Sequence, residues 1–356
     1  MRIEKILSEF DGLGLEIAVI VPEGNPKGVI QFSHGMAEHK ERYYDFMNYL
    51  SDHGYVCVIH DHRGHGGSVE KAEDYGFFYT ENEQAIIEDL HTVTKYIKHI
   101  YSGLPVFLFS HSMGTLVARG YLKRYDSEID KVVLCGPPTY NAAAGHGLLL
   151  ARLSKPFIKE KAPNKMLNAM AFSQFNAGNS IPNSWLSENQ ANVAQYNQDP
   201  KCGFIFTTNG FVNLLRLQKA AFEKRNWHVS NPHLPILVIA GEEDPVIRSR
   251  KRFEQLIAFL SELGYTNISS KLYEHMRHEI LNEEKKLESN LSRAFFPQEF
   301  HYVSKYIKEP FEQFYRHQSI SFQKPISGLS YVPTITPRSK NAFLSSQHVS
   351  GNKPHA

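Results

Sequence analysis

Seven short apolar runs punctuate this 356-residue chain, and the segments between them follow a different period. LEIAVIV (15–21), GVIQFSH (28–34), YVCVIHD (55–61), PVFLFS (105–110), KVVLCG (131–136), ILVIAG (236–241) and ISSKLYE (268–274) are short, and most are dense in β-branched or aromatic residues, as strands buried on both faces are. Between them apolar residues recur three and four apart: Tyr43, Phe46, Met47 and Leu50; Ile86, Leu90, Val93, Ile97 and Ile100; Met113, Leu116, Val117, Gly120 and Tyr121; Phe253, Leu256, Ile257 and Leu260. Such alternation predicts an α/β fold: a mostly parallel, doubly wound sheet covered by helices on both sides.

The alternation lapses between Pro137 and about Asn231. That segment is helical in pattern, rich in Asn, Ala and Gln, and carries Phe172, Phe175, Trp185, Phe204, Phe206 and Phe211. We read it as a helical cap, residues 137–231, inserted into a core made of residues 1–136 and 232–318. Residues 319–356 hold eight serines, four prolines and no acid, without any sustained period, and read as a disordered tail.

Apolar residues make up 42% and charged residues 21% of the chain, as in soluble globular proteins. The net charge of +2 comes from the tail, where Lys324, Arg338, Lys340 and Lys353 face no acid, so the body has no basic surplus for nucleic acid. Cys57, Cys135 and Cys202 are odd in number, and the first two lie in strand-like runs. They read as reduced core thiols, which predicts a cytoplasmic protein. The charged opening MRIEKILSEFDG and the lack of any apolar run of about 18–20 residues predict neither secretion nor a membrane span.

Chemistry enters at PVFLFSHSMGTLV (105–117), where a strand turns directly into a helix through S-H-S-M-G. Such a turn forces its central residue into a strained conformation and requires small residues two before and two after it. Ser112 holds the centre and Ser110 and Gly114 flank it, so Ser112 is the candidate nucleophile and Ser110 a spacer. A serine needs a base, the base needs an orienting carboxylate, and the oxyanion needs N–H donors. After ILVIAG comes EEDPV, with Asp244 the preferred acid and Glu242 and Glu243 adjacent. After ISSKLYE comes EHMRHEIL, with His278 preferred as base over His275. The backbone N–H of Met113, next after the nucleophile, and that of Met36, beside Gly35 in H-G-M-A-E-H, are the candidate oxyanion donors.

SHGMAEHKERY (33–43), DHRGHGGS (61–68), SHSMG (110–114), GEEDPV (241–246), MRHEILNE (276–283) and WLSENQANVAQYNQDPKCGFIFT (185–207) together resemble the serine hydrolases of the monoacylglycerol lipase and lysophospholipase group, over roughly residues 10–315. The resemblance implies the α/β-hydrolase fold, a triad of Ser112, Asp244 and His278, an oxyanion hole at Met36 and Met113, and no cofactor or metal. It implies a single-chain lipid or other ester as substrate. The cap aromatics Phe172, Phe175, Trp185, Phe204, Phe206 and Phe211 then become candidates for binding the acyl chain and for transient contact with a membrane surface. Two features depart from the group's pattern: Ser110 in place of the first elbow glycine, and the charged stretch from Glu283 to Pro297.

Other readings compete. His60, Asp61, His62 and His65 resemble the H-x-H-x-D-H ligand run of binuclear zinc hydrolases, but the fifth position is Gly64 where that run has its aspartate. A small-ester esterase, an amidase or an acyltransferase would use the same acyl-enzyme, and an inactive scaffold could keep the fold without the chemistry. Acyl-chain length, headgroup and oligomeric state are open at this level.

Overall fold

Each of the seven expected strands forms, and an eighth joins them at one edge. In chain order they are β1 (Arg2–Leu7), β2 (Gly14–Ile20), β3 (Gly28–Ser33), β4 (Tyr55–His60), β5 (Val106–His111), β6 (Lys131–Cys135), β7 (Ile236–Gly241) and β8 (Ile268–Tyr273). The sheet order is β1-β2-β4-β3-β5-β6-β7-β8, with β1–β2 and β2–β4 antiparallel and every later pair parallel. The computed structural model describes residues 1–176 and 180–283, all within a unit that runs from Met1 to Phe314. The tail expected at 319–356 and most of the charged stretch Glu283 to Pro297 lie outside the described residues.

β1 is the element the sequence reading missed. It lies at the sheet edge with both faces largely exposed, so its side chains need no apolar alternation, and backbone pairing to β2 holds it. The inner strands need apolar residues on both faces because each face has its own core. Val29, Val58, Leu108, Val132 and Val238 pack into one, Ile30, Cys57, Phe107, Phe109 and Ile239 into the other, alternating as a two-residue period requires. Helix α1 (Tyr44–Asp52) covers the second core with Phe46, Met47 and Leu50. Helices α2 (Gln84–Ile100) and α3 (Met113–Tyr125) cover the first, although Ile100, expected on the inner face, is exposed at the last residue of α2.

Among the described residues, four α-helices lie between β6 and β7, namely α4 (Ala144–Ser154), α5 (Lys165–Phe172), α6 (Gln190–Gln198) and α7 (Thr208–Ala220); α8 (Arg250–Leu263) follows β7. The insert shares the main core: Leu148, Ala151, Leu167, Phe211, Val212 and Leu217 belong to it. Phe206 and Phe211, expected as acyl-chain contacts, are core residues with 0% and 2% exposure, because the segment leading into α7 packs down onto Phe78 and the sheet layer. The three cysteines are unpaired and buried. No described helix is long and apolar enough to cross a membrane.

Register brings the loops after the strands together at one edge. Ser33 pairs with Ser110, His111 with Cys135 and Gly241 with Tyr273, so the segments leaving β3, β5, β6, β7 and β8 emerge side by side. The segment after β3 is fixed by a buried lysine. Lys40 Nζ donates to Asp61 Oδ2 at 2.7 Å and Glu16 Oε1 at 2.6 Å, and the Lys40 N–H donates to Asp61 Oδ1 at 2.7 Å. Replacing Lys40 with Met strands the Asp61 charge in the interior, so urea unfolding should show a loss of about 3–5 kcal/mol. The double variant Lys40→Met/Asp61→Asn should lose clearly less.

Candidate active site

Ser112 caps the N-terminus of α3 with φ 50° and ψ −118°, a conformation that costs an L-residue of order 1–3 kcal/mol and persists only where its surroundings impose it. Its N–H donates to the Cys135 carbonyl at 2.9 Å, and Thr115 N–H closes the first turn onto the Ser112 carbonyl. Gly114 is required because a Cβ there would collide with the Ser33 and His34 carbonyl oxygens. Ser110 is accommodated because its hydroxyl donates to the Val133 carbonyl at 2.8 Å, so the side chain brings its own partner into the tight strand crossing.

His278 lies 2.8 Å from Ser112 through Nε2 and 2.9 Å from Asp244 Oδ2 through Nδ1, and both partners of the serine are buried. A carboxylate at Nδ1 favours the tautomer with its proton there, which leaves the Nε2 lone pair facing the serine hydroxyl. Asp244 is itself oriented by the Val246 N–H at 2.8 Å. The alternatives point elsewhere. His275 projects into solvent beside Glu243, and Glu242 bonds Arg250 at 2.5 Å.

Met113 opens α3, so its N–H is one of the first-turn amides that have no acceptor within the helix. The loop after β3 approaches the same point: a Cβ on Gly35 would overlap Glu38 Oε1 and stand 3.2 Å from Ser112 Cβ. The amides on either side of Met36 are engaged, Gly35 N–H with Glu38 Oε1 at 2.5 Å and Ala37 N–H with His65 Nε2 at 3.2 Å.

That second contact explains the histidine run. His65 also donates from Nδ1 to the Arg63 carbonyl at 3.0 Å, His62 Nε2 lies 3.1 Å from Ser33 Oγ, and His34 Nε2 accepts the His62 N–H at 2.9 Å. Asp61 is bound by Lys40. Burial drives His34 to a pKa of about 4 and His60 and His65 to about 3, so these rings are neutral packing units under the loop that carries Met36. Among the described residues, the grouping of His, Cys, Asp or Glu close enough to hold a metal is His39, Asp199 and Cys202, not the zinc-like run. There His39 already bonds Asp199 at 2.8 Å and sits 2.8 Å from Glu41.

Of the insert aromatics, the structure brings Trp185 to His278, the two ring centroids 5.2 Å apart. Phe175 packs on Trp185 at 5.1 Å and Phe172 on Phe175 at 5.9 Å, a partly buried row leading away from the histidine. Phe204 stacks instead on Tyr75 and on Phe206. The reading of single residues also gave no role to Glu38, Arg42, His111 and Glu279, a hydrogen-bonded group of titratable side chains beside Ser112 and His278. All four lie inside the motifs SHGMAEHKERY, SHSMG and MRHEILNE, but nothing local in those motifs joins them beyond the four-residue spacing of Glu38 and Arg42.

The elbow geometry sets a test. Gly114→Ala should destabilise the fold by about 1–3 kcal/mol through forced overpacking and abolish fluorophosphonate labelling. Ser110→Gly should cost only the about 1 kcal/mol of one hydrogen bond and keep labelling, both read by thermal unfolding alongside in-gel fluorescence.

Comparison with known proteins bears on this arrangement. The family model described as serine aminopeptidase, S33, matches residues 24–285. A monoacylglycerol lipase of Mycolicibacterium smegmatis is 27% identical over 79% of this chain and 92% of its own length. Human monoglyceride lipase is 31% identical over 50% of this chain and 54% of its own, a match spanning about half of each. In fold, a carboxyl esterase from Bacillus coagulans superposes with a TM-score of 0.75 at 23% identity, covering 83% of this chain and 96% of that one. A soluble variant of Saccharomyces cerevisiae monoglyceride lipase does so with a TM-score of 0.63 at 19% identity, covering 83% and 93%. With the family model matching residues 24–285 and a solved carboxyl esterase sharing the fold at a TM-score of 0.75, the chain belongs to the serine aminopeptidase S33 family of α/β-hydrolases.

Proposed function

We propose that this carboxylic ester hydrolase cleaves esters of single-chain lipids, monoacylglycerols or lysophospholipids, through an acyl-enzyme on Ser112. The observation that carries the reading is the continuous chain Ser112–His278–Asp244, at 2.8 and 2.9 Å, with a strained serine at its head. In this reading His278 takes the serine proton as Oγ attacks the ester carbonyl, and Asp244 stabilises the imidazolium that forms. The Met36 and Met113 N–H groups hold the oxyanion, and His278 then protonates the departing alcohol. Water repeats the sequence on the acyl-enzyme and releases the fatty acid.

Two features support a lipid over a small ester. The names of the relatives are one. The other is the insert itself: Trp185, Phe175 and Phe172 lead apolar surface away from His278. Leu149, Leu153, Phe157, Met166 and Met170 are exposed on and after α4 and on α5, among Arg152, Lys155, Lys159 and Lys165. Exposed apolar side chains in a stretch that also carries Arg152, Lys159 and Lys165, with Lys155 paired to Glu81, suit transient contact with a lipid surface, where such substrates reside.

A turnover panel of monoacylglycerols, lysophospholipids, p-nitrophenyl esters and aminoacyl amides tests the reading. Ser112→Ala should lose about 10⁴-fold or more in kcat on esters. Since each buried methylene contributes about 0.8 kcal/mol, kcat/KM should rise severalfold per two carbons until the site is full. Equal turnover of acetyl and medium-chain esters, or amides cleaved faster than esters, would overturn the assignment. For the surface, Leu153→Asp/Phe157→Asp should depress hydrolysis of monoacylglycerol in vesicles while leaving p-nitrophenyl butyrate turnover near the wild-type rate. Equal losses on both substrates count against membrane contact.

A further inference from the structure

Behind the Ser112–His278 pair lies a buried charged cluster that the acyl-transfer steps leave unused. His111, the residue before Ser112, places Nδ1 3.2 Å from Glu38 Oε1 and Nε2 3.3 Å from the carbonyl oxygen of His278. Both facing atoms are acceptors. The ring satisfies both only when each nitrogen carries a hydrogen, as in the imidazolium; a neutral ring would set a lone pair against a carboxylate or a carbonyl.

Each neighbour ties to a different part of the site. Glu38 accepts the Gly35 N–H at 2.5 Å, the Tyr43 hydroxyl at 2.9 Å and Arg42 Nη1 at 2.8 Å. Arg42 forks onto Glu279, the residue after His278, at 2.6 and 2.7 Å, and donates to Asn192 of α6 at 3.1 Å. Asn192 donates to the same Glu279 at 2.7 Å. Two carboxylates, Glu38 and Glu279, thus share one guanidinium, and the cluster is neutral when His111 is positive.

We propose that a protonated His111 is a positioning residue for ester cleavage: one ring holds both the loop that carries Gly35 and Met36 and the loop that carries His278, and so fixes the oxyanion donors and the base against the serine. This rests on the reading of Ser112 and His278 as the reacting pair. Burial opposes a charge on His111, but the Glu38 hydrogen bond and the Glu38 and Glu279 charges outweigh it and raise its pKa above the ordinary value. The groups facing it are Glu38, Arg42 and Tyr43 from the segment after β3, neutral His34, the Cys135 thiol on the neighbouring strand, and His278 and Glu279 from the segment after β8. A histidine with a raised pKa keeps its proton at low pH and loses it as the pH climbs past the ordinary range, so its contribution fades on the alkaline side.

The test is kcat and KM for p-nitrophenyl butyrate from about pH 5 to about pH 10, a span that brackets ordinary histidine titration, with nitrogen-15 histidine NMR on the same full-length protein. We expect kcat of the wild type to decline at the alkaline end. His111→Asn should lower kcat about 10- to 100-fold near neutral pH, the cost of misplaced reacting groups, with KM little changed and the alkaline decline gone. Glu38→Gln should move that decline to lower pH. If His111→Asn fails to fold, Glu38→Gln and the NMR titration of the wild type still decide. An alkaline decline unchanged in either variant, or a neutral His111 ring near pH 7, overturns the proposal. In Ser112→Ala the His111 titration is readable without turnover. Residual esterase activity there would sink the nucleophile assignment and leave the protonation of His111 as a separate result.

Discussion

A single backbone conformation at Ser112, φ 50° and ψ −118°, organises this molecule. Nothing local favours it, so the strain of order 1–3 kcal/mol has to be offset by packing on every side. Parallel pairing of β5 with β3 and β6 supplies one part, and the close approach of α3 to the Ser33 carbonyl, possible only with Gly114, supplies another. The consequence is functional. The same turn that strains the serine aims its hydroxyl at His278 and leaves the first amides of α3 without helical acceptors.

Charge is buried around that turn in a graded way. Neutral rings of His34, His60, His62 and His65 pack beneath the loop that carries Met36, forced into the neutral state by desolvation. Closer to the serine the environment reverses: despite burial, His111 and Arg42 hold the Glu38 and Glu279 carboxyls below their ordinary range, and those carboxylates raise His111 and Arg42 above theirs. Burial disfavours charge in both places. What differs is the directness of the partner: the first set bonds carbonyls, a hydroxyl and backbone N–H groups, with the Asp61 carboxylate no nearer to His34 than 4.0 Å, whereas the second bonds carboxylates and a guanidinium directly.

The sequence placed the seven strands β2 to β8 almost to the residue, and five of them, β3 to β7, stand out because they must be apolar on both faces, which leaves a dense and short signal. It failed at β1, where an edge strand held by backbone pairing carries no such signal. The aromatics of the insert divided for a similar reason. Phe206 and Phe211 are as aromatic as Trp185 and Phe175, and composition does not say which face the core and which face His278. His60, His62 and His65 resemble metal ligands in one dimension, whereas in three dimensions the ring nitrogens of His62 and His65 hold the neighbouring loop.

What the chain determined by itself was the kind of fold and the identity of a nucleophile candidate, because hydrophobic period and turn chemistry are local properties that a few neighbouring residues impose. Asp244 and His278 could be ranked in the sequence but not joined, since they are 132 and 166 residues from Ser112 and are brought to it by the register of five parallel strands. The ring contacts of Trp185 and the acceptors on both sides of His111 are products of that same register. They depend on distances between loops that no local pattern encodes, and only the closing of the sheet sets those distances.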